Sequence, residues 1–172
     1  MASMSSARQC EIIGMKWSNI DWENSQVYIQ RTYNNRQWYN PKSRSSNRRV
    51  DIGPMLINTL KKWRLACPAN EEDLIFPNDE GQPIVHTLLL RKHFWPTLKK
   101  AGIPHIRFHD LCHTYASLQI ERGLNIKYIQ SQLGHAEPTV TLKVYAHLMS
   151  SVNKEAAVGL EDMVFKRNAA DI

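Results

Sequence analysis

Beyond Pro104 the chain is cut into short helical segments by glycines and caps, and this punctuation constrains the fold more than any other feature. Leu111, Tyr115 and Leu118 stand at i, i+4 and i+7, one face of a helix that Gly123 ends. Asn125 is a favourable N-cap for a second helix, which buries Ile126, Ile129 and Leu133 before Gly134 stops it. Pro138 starts a third, carrying Val140, Val144 and Leu148. A last helix is predicted to bury Val152, Ala156, Leu160 and Val164.

The first third of the chain has a different rhythm. A short helix is predicted over residues 6–16, then a turn-rich stretch from Asn19 to Ser25. Val27, Ile29 and Arg31 alternate with Tyr28, Gln30 and Thr32, the period of two of a strand. Further strands around Arg36–Pro41 and Arg48–Ile52 complete a small sheet, with a polar basic loop, residues 42–49, between them. Pro54 suits the first position of a helix with Leu56, Leu60 and Trp63 inward. Leu74–Phe76 is a short apolar stretch, and residues 86–101 read as a helix kinked or split at Pro96 and ended by Gly102. Trp17, Trp63 and Trp95 read as core anchors. The expected architecture is α+β and mainly helical, with a small three-stranded antiparallel sheet near the N-terminus packed on a helical bundle. A length of 172 residues suits a single domain.

The charge balance points outward from that fold. A net charge of +6 suits a polyanionic partner, of which nucleic acid is the commonest. Cys10, Cys67 and Cys112 form neither an even set nor a Cys-x-x-Cys pair, which predicts reduced thiols and a cytoplasmic protein. No apolar run is long enough to span a bilayer, and no secretory signal is predicted.

Taken singly, the polar residues have ordinary explanations. Arg8 and Glu11 make a helix-surface ion pair, Lys42 a solvated loop cation, and Tyr145 a core residue beside Val144. His105, His109, Cys112 and His113 are spaced so that some could share a zinc ion, as in a zinc-dependent nuclease or DNA-binding protein, but no partner Cys-x-x-Cys is present. Together the blocks say more. Breaking and rejoining DNA without a metal needs a nucleophile, fixed donors for the phosphate charge, and groups that move protons.

The blocks His109-Asp-Leu-Cys-His-Thr-Tyr-Ala-Ser117, Leu133-Gly-His135 and Thr141-Leu-Lys-Val-Tyr145-Ala-His-Leu148 resemble the C-terminal motifs of the tyrosine recombinase, or phage integrase, family. Ala7-Arg8-Gln-Cys-Glu11 resembles its Arg-x-x-Glu helix, and the segment from Pro41 to Val50 resembles the hairpin with its catalytic lysine. The resemblance implies the catalytic-domain fold of that family and a 3′-phosphotyrosyl intermediate. Tyr145 would be the nucleophile, Arg8 the grip on the non-bridging oxygens, and Lys42 the proton donor to the departing 5′-oxygen. His109 would move a proton at the nucleophile, His135 would hydrogen-bond the phosphate, and Glu11 would orient Arg8. Arg44, Arg48 and Arg49 are expected to face phosphate or solvent. Double-stranded DNA is the expected partner, with self-association through the C-terminal helix and no metal, small-molecule cofactor or membrane.

Two departures stand out. Cys112 occupies the position of the family's second arginine, and a thiol carries no fixed positive charge. Ser5 and Ser6 replace the usual Thr-Gly before Arg8, and Arg8 comes so early that an N-terminally truncated catalytic domain is expected. An active strand-breaking domain and a catalytically dead DNA-binding remnant both follow from this pattern.

Overall fold

In the computed structural model the described residues are 1–40, 44–137, 139, 158 and 161–163. The chain opens with a single helical turn, α1 (Ala2–Ser5), and a second short helix, α2 (Gln9–Ile13). The helix predicted over residues 6–16 is thus shorter and starts later. The reason is Ser6, which adopts φ 52°, a left-handed conformation that breaks the chain between α1 and α2. This is the position where the resemblance expects glycine. Ser6 is held there by its own hydroxyl, which donates to the Gln132 carbonyl at 2.6 Å.

Three strands form the main sheet: β1 (Ile20–Asp21), β2 (Gln26–Ile29) and, after two further strands, β5 (Arg48–Asp51). The order is β1-β2-β5, antiparallel throughout, with Val27 opposite both Ile20 and Val50. The strand predicted around Arg36–Pro41 exists as β4 (Gln37–Tyr39) but lies outside this sheet. It pairs instead with β3 (Thr32–Asn34) in a separate hairpin. Asn35 and Arg36, with φ 49° and 60°, make the two-residue reversal. That turn folds the segment onto itself before it can reach the edge of β2. The third strand of the main sheet comes from the stretch read as a turn.

The inward faces of β2 and β5 pack on α3 (Pro54–Ala66), with Val27, Ile29, Val50, Leu56, Ile57 and Leu60 in one buried cluster. Ile75, fully buried, joins it and accepts the Trp63 indole N–H at 2.6 Å on its carbonyl. The region around Pro96 is continuous rather than broken. It runs as α4 (His86–Leu88), a wide π-helical turn over Leu89–Phe94, and α5 (Trp95–Lys100). Pro96 follows the π-helical turn directly; lacking an N–H it cannot donate to the preceding turn, and the ladder widens there without breaking. Trp95 is exposed, not a core anchor.

Two helices follow, α6 (Asp110–Glu121) and α7 (Ile126–Leu133). Asn125 caps α7 as predicted, its side chain accepting the Lys127 N–H at 2.8 Å. Gly123 and Gly134 take positive φ at the two helix ends. The inward face of α6 is Cys112, Tyr115 and Ala116, while Leu118 is 52% exposed. Tyr115 and Ala116 meet Ile129 and Leu133 of α7 in a second, smaller core. Among the described residues no helix is long and apolar enough to cross a membrane.

Candidate functional site

The site is built where the starts of α2 and α6 meet the end of α7. Arg8 is the N-cap of α2, in an extended conformation that directs its backbone N–H and side chain toward Glu11. Glu11 accepts that N–H at 2.7 Å and the Arg8 guanidinium at 3.0 Å. The spacing of three residues makes this local closure possible, as the sequence suggested. The second guanidinium nitrogen of Arg8 reaches the carbonyls of Leu133 and Gly134 at 3.2 and 3.3 Å. Arg8 therefore bridges two ends of the chain that lie more than a hundred residues apart.

Arg48 is not on the surface. It is buried, and its guanidinium clasps both oxygens of Glu11, at 3.0 and 3.1 Å. Its Nε donates to the Gln132 carbonyl at 2.7 Å. The expectation that it faces phosphate or solvent is therefore corrected, and the cause was legible. Arg48 shares strand parity with Val50 and Ile52, both buried, so the pleat turns it inward. Arg49 has the other parity and is exposed, beside the Tyr28 ring. Arg44 lies in a short 3-10 turn, Arg44–Ser46. Burial pushes the Glu11 carboxyl up, but Arg48 and then Arg8 outweigh it and hold Glu11 below the ordinary carboxylate value.

Two imidazoles, His109 and His135, lie close enough to feel the charge of Arg8, and a third, His113, stands beside His109. His109 is the N-cap of α6, its ring edge-on to His113 with centroids 4.9 Å apart. The turn before it is fixed by Arg107, whose side chain and backbone N–H both bind Asp110. His135 follows the left-handed Gly134, and Gln130 holds its carbonyl at 3.1 Å. Desolvation first, and then neighbouring positive charge, holds both His109 and His135 below the ordinary imidazole value. Arg8 contributes to both shifts, and His109 contributes to that of His135. The shift favours the uncharged form of both rings.

Cys112 lies beneath this edge, 5% exposed, with Sγ 3.5 Å from the Ser6 carbonyl and 3.8 Å from that of Ala7. Burial pushes the thiol up, and Glu11 adds to the effect, so it stays neutral. Cys112, Cys10, His86 and His109 line a cavity of about 270 Å³. The zinc alternative finds no support in this geometry. His105 packs against Trp95, and among the described residues no group of three or more His, Cys, Asp or Glu is placed to hold a metal ion. The structure thus brings Arg8, Glu11, His109, Cys112 and His135 together. Lys42 and Tyr145 lie outside the described residues, as do the stripes Val140–Leu148 and Val152–Val164 apart from single positions. Sequence reasoning did not single out Gln132, the hub between Ser6, Arg48 and β5, because a glutamine inside a helix carries no local signal.

Residues 2–151 match the family described as the phage integrase family. The chain belongs to the phage integrase family. Among its relatives is a tyrosine recombinase XerC-like protein of Caldanaerobacter subterraneus subsp. tengcongensis. It is 30% identical over 181 residues, covering 91% of this chain and 46% of that protein. The chain spans about half the length of the curated relatives it matches. Its backbone follows the catalytic domain of bacteriophage HP1 integrase with a TM-score of 0.57 at 21% identity, covering 95% of this chain and 80% of that one. It follows the Tn1549 transposon integrase, solved in complex with circular intermediate DNA, with a TM-score of 0.73 at 17% identity, over 95% of this chain and 57% of that one. The fold is the mainly helical α+β integrase catalytic fold, with its small antiparallel sheet near the N-terminus.

Proposed function

We propose that this integrase-family chain acts on double-stranded DNA, breaking and rejoining a strand through a 3′-phosphotyrosyl intermediate. The observation that carries the reading is the convergence of Arg8, His109 and His135 on one half-exposed cationic edge. A phosphate seated there meets a guanidinium that can hold its oxygens and two neutral imidazoles that can donate or accept a proton. The Tyr145 hydroxyl attacks phosphorus and gives its proton up near His109. The bond to the 5′-oxygen breaks, and Lys42 protonates that oxygen as it leaves. Glu11 keeps Arg8 in place, and Arg49 offers a further phosphate contact. No metal or small-molecule cofactor takes part in this scheme.

Cys112 favours a second reading, a DNA-binding relative with little or no chemistry. Its thiol is buried against two carbonyls, so it offers no charged donor where the resemblance expects a second arginine. One transition-state donor is worth about 2.7–4 kcal/mol, a hundred- to thousand-fold in rate. The experiment compares the protein with its Cys112→Arg variant on a nicked duplex, reading the covalent adduct on a denaturing gel. The expected result is adduct formation faster by about a hundredfold or more in the variant. Equal rates would remove Cys112 from the phosphate clamp. Binding to the duplex without adduct in either protein would favour the non-catalytic reading.

A further inference from the structure

Glu11 is shared unequally between two arginines, and the inequality has a functional consequence. Arg48 holds both carboxylate oxygens with its side chain, at 3.0 and 3.1 Å. Arg8 holds only one of them with its side chain, at 3.0 Å, and its other terminal nitrogen faces the neutral carbonyls of Leu133 and Gly134. The Arg48 side chain is 6% exposed and that of Glu11 1%, whereas that of Arg8 is 33% exposed. One carboxylate stands against two guanidinium groups, so one positive charge is left over. The geometry places that surplus on the outer partner, which solvent and an anion can reach.

We infer that Arg48 is a positioning residue that neutralises Glu11 and thereby leaves the charge of Arg8 free for an anion. Without Arg48, Arg8 and Glu11 form a neutral pair, and a phosphate must compete with a carboxylate already 3.0 Å from the guanidinium. Arg48 also fixes where that charge sits. It lies flat beneath Gly134, where an added Cβ would fall 2.7 Å from one guanidinium nitrogen and 2.9 Å from its central carbon. The turn that carries His135 therefore rests directly on Arg48. Its Nε bond to Gln132 and Arg8's bonds to Leu133 and Gly134 hold the same turn from two sides.

The inference deepens the phosphate reading above and rests on it only for the identity of the anion. The test uses two probes, inorganic pyrophosphate and a short duplex. It compares the unaltered protein with Arg48→Met and with Arg48→Met/Glu11→Gln, each checked for folding by circular dichroism. Pyrophosphate binding is followed through the imidazole signals of His109 and His135, and duplex binding through its salt dependence. Arg48→Met should weaken pyrophosphate binding and lower the slope of log affinity against log salt by about 0.9, one phosphate contact. The double variant should recover much of both, because it removes the competing charge while the introduced amide oxygen can still accept from Arg8. A role that is merely structural predicts no recovery. If Arg48→Met does not fold, the double variant alone decides: a salt slope within half a phosphate contact of that of the unaltered protein supports the inference, and a slope lower by a full contact overturns it. Unchanged binding in Arg48→Met, or no pyrophosphate binding by the unaltered protein, also overturns it. Pyrophosphate binding that follows this pattern without any duplex binding keeps the inference and overturns the DNA reading.

Discussion

The sheet with α3 and the pair α6–α7 are held in contrasting ways. The first is joined by a broad apolar cluster that runs from Ala7 and Ile12 through Val27 and Val50 to Leu60 and Ile75. Among the described residues the second has an apolar cluster of four, Tyr115, Ala116, Ile129 and Leu133. The end of α7 is tied to the first region by directional bonds. Ser6 and Arg48 donate to the Gln132 carbonyl, the Gln132 side chain accepts the Asp51 N–H at 2.9 Å, and Tyr128 donates to Asp51 at 2.9 Å. Apolar burial is non-directional and tolerates small shifts, whereas a hydrogen bond fixes both distance and angle. The region that must place His135 against Arg8 is the one attached by directional contacts.

This contrast can be broken from either side. The largest effect is expected in the apolar region. Ile75→Ala should cost about 2–5 kcal/mol in chemical denaturation, through lost burial and a residual cavity. The folded fraction should bind duplex as before, since Ile75 packs in the apolar cluster and its backbone partners include Trp63 and Met15. Next comes Gln132→Ala, which keeps both backbone bonds and leaves the Asp51 N–H without its acceptor. A loss of about 0.5–1.5 kcal/mol is expected, the net worth of one hydrogen bond at a part-buried site. Here duplex affinity should fall even under conditions where the protein is fully folded. If Ile75→Ala impairs binding as much as Gln132→Ala does, the division between the two regions fails.

The smallest effect sharpens the same comparison through pH. His109 and His135 are held below the ordinary imidazole value of 6.5, so the unfolded chain takes up protons first as the pH falls. Their contribution is present above that value and lost as the pH drops through their folded values. Glu11 is also held down, from an ordinary 4.5, and its contribution is lost in the same direction at lower pH. Melting temperature, followed by calorimetry, should therefore decline below about pH 6.5 and again below about 4.5. Saturating duplex should remove the first decline, because a bound phosphate favours charged imidazoles. A first decline that persists unchanged with duplex would mean that neither ring faces the bound anion.

Much of the local structure was legible in the sequence. Pro54 opens α3, Asn125 caps α7, and Gly123 and Gly134 take the left-handed conformations that end their helices. The spacing of Arg8 and Glu11 closes as an i, i+3 pair. Each of these depends on a residue and its near neighbours, whose conformational preferences travel with the sequence. The placement of Ser6 was half legible: the substitution of an expected glycine was visible, but not that Gln132 would hold it in place. Strand parity already turned Arg48 inward, but only the tertiary structure decided that β4 leaves the main sheet, that Leu118 is exposed, and which partners meet the Arg48 charge. Arg48 meets Glu11 across 37 positions and Gln132 across 84. A buried charge is stable only where such distant partners meet it. The chain can therefore specify its helix ends locally, but the charge balance at the site exists only once the whole domain has closed around it.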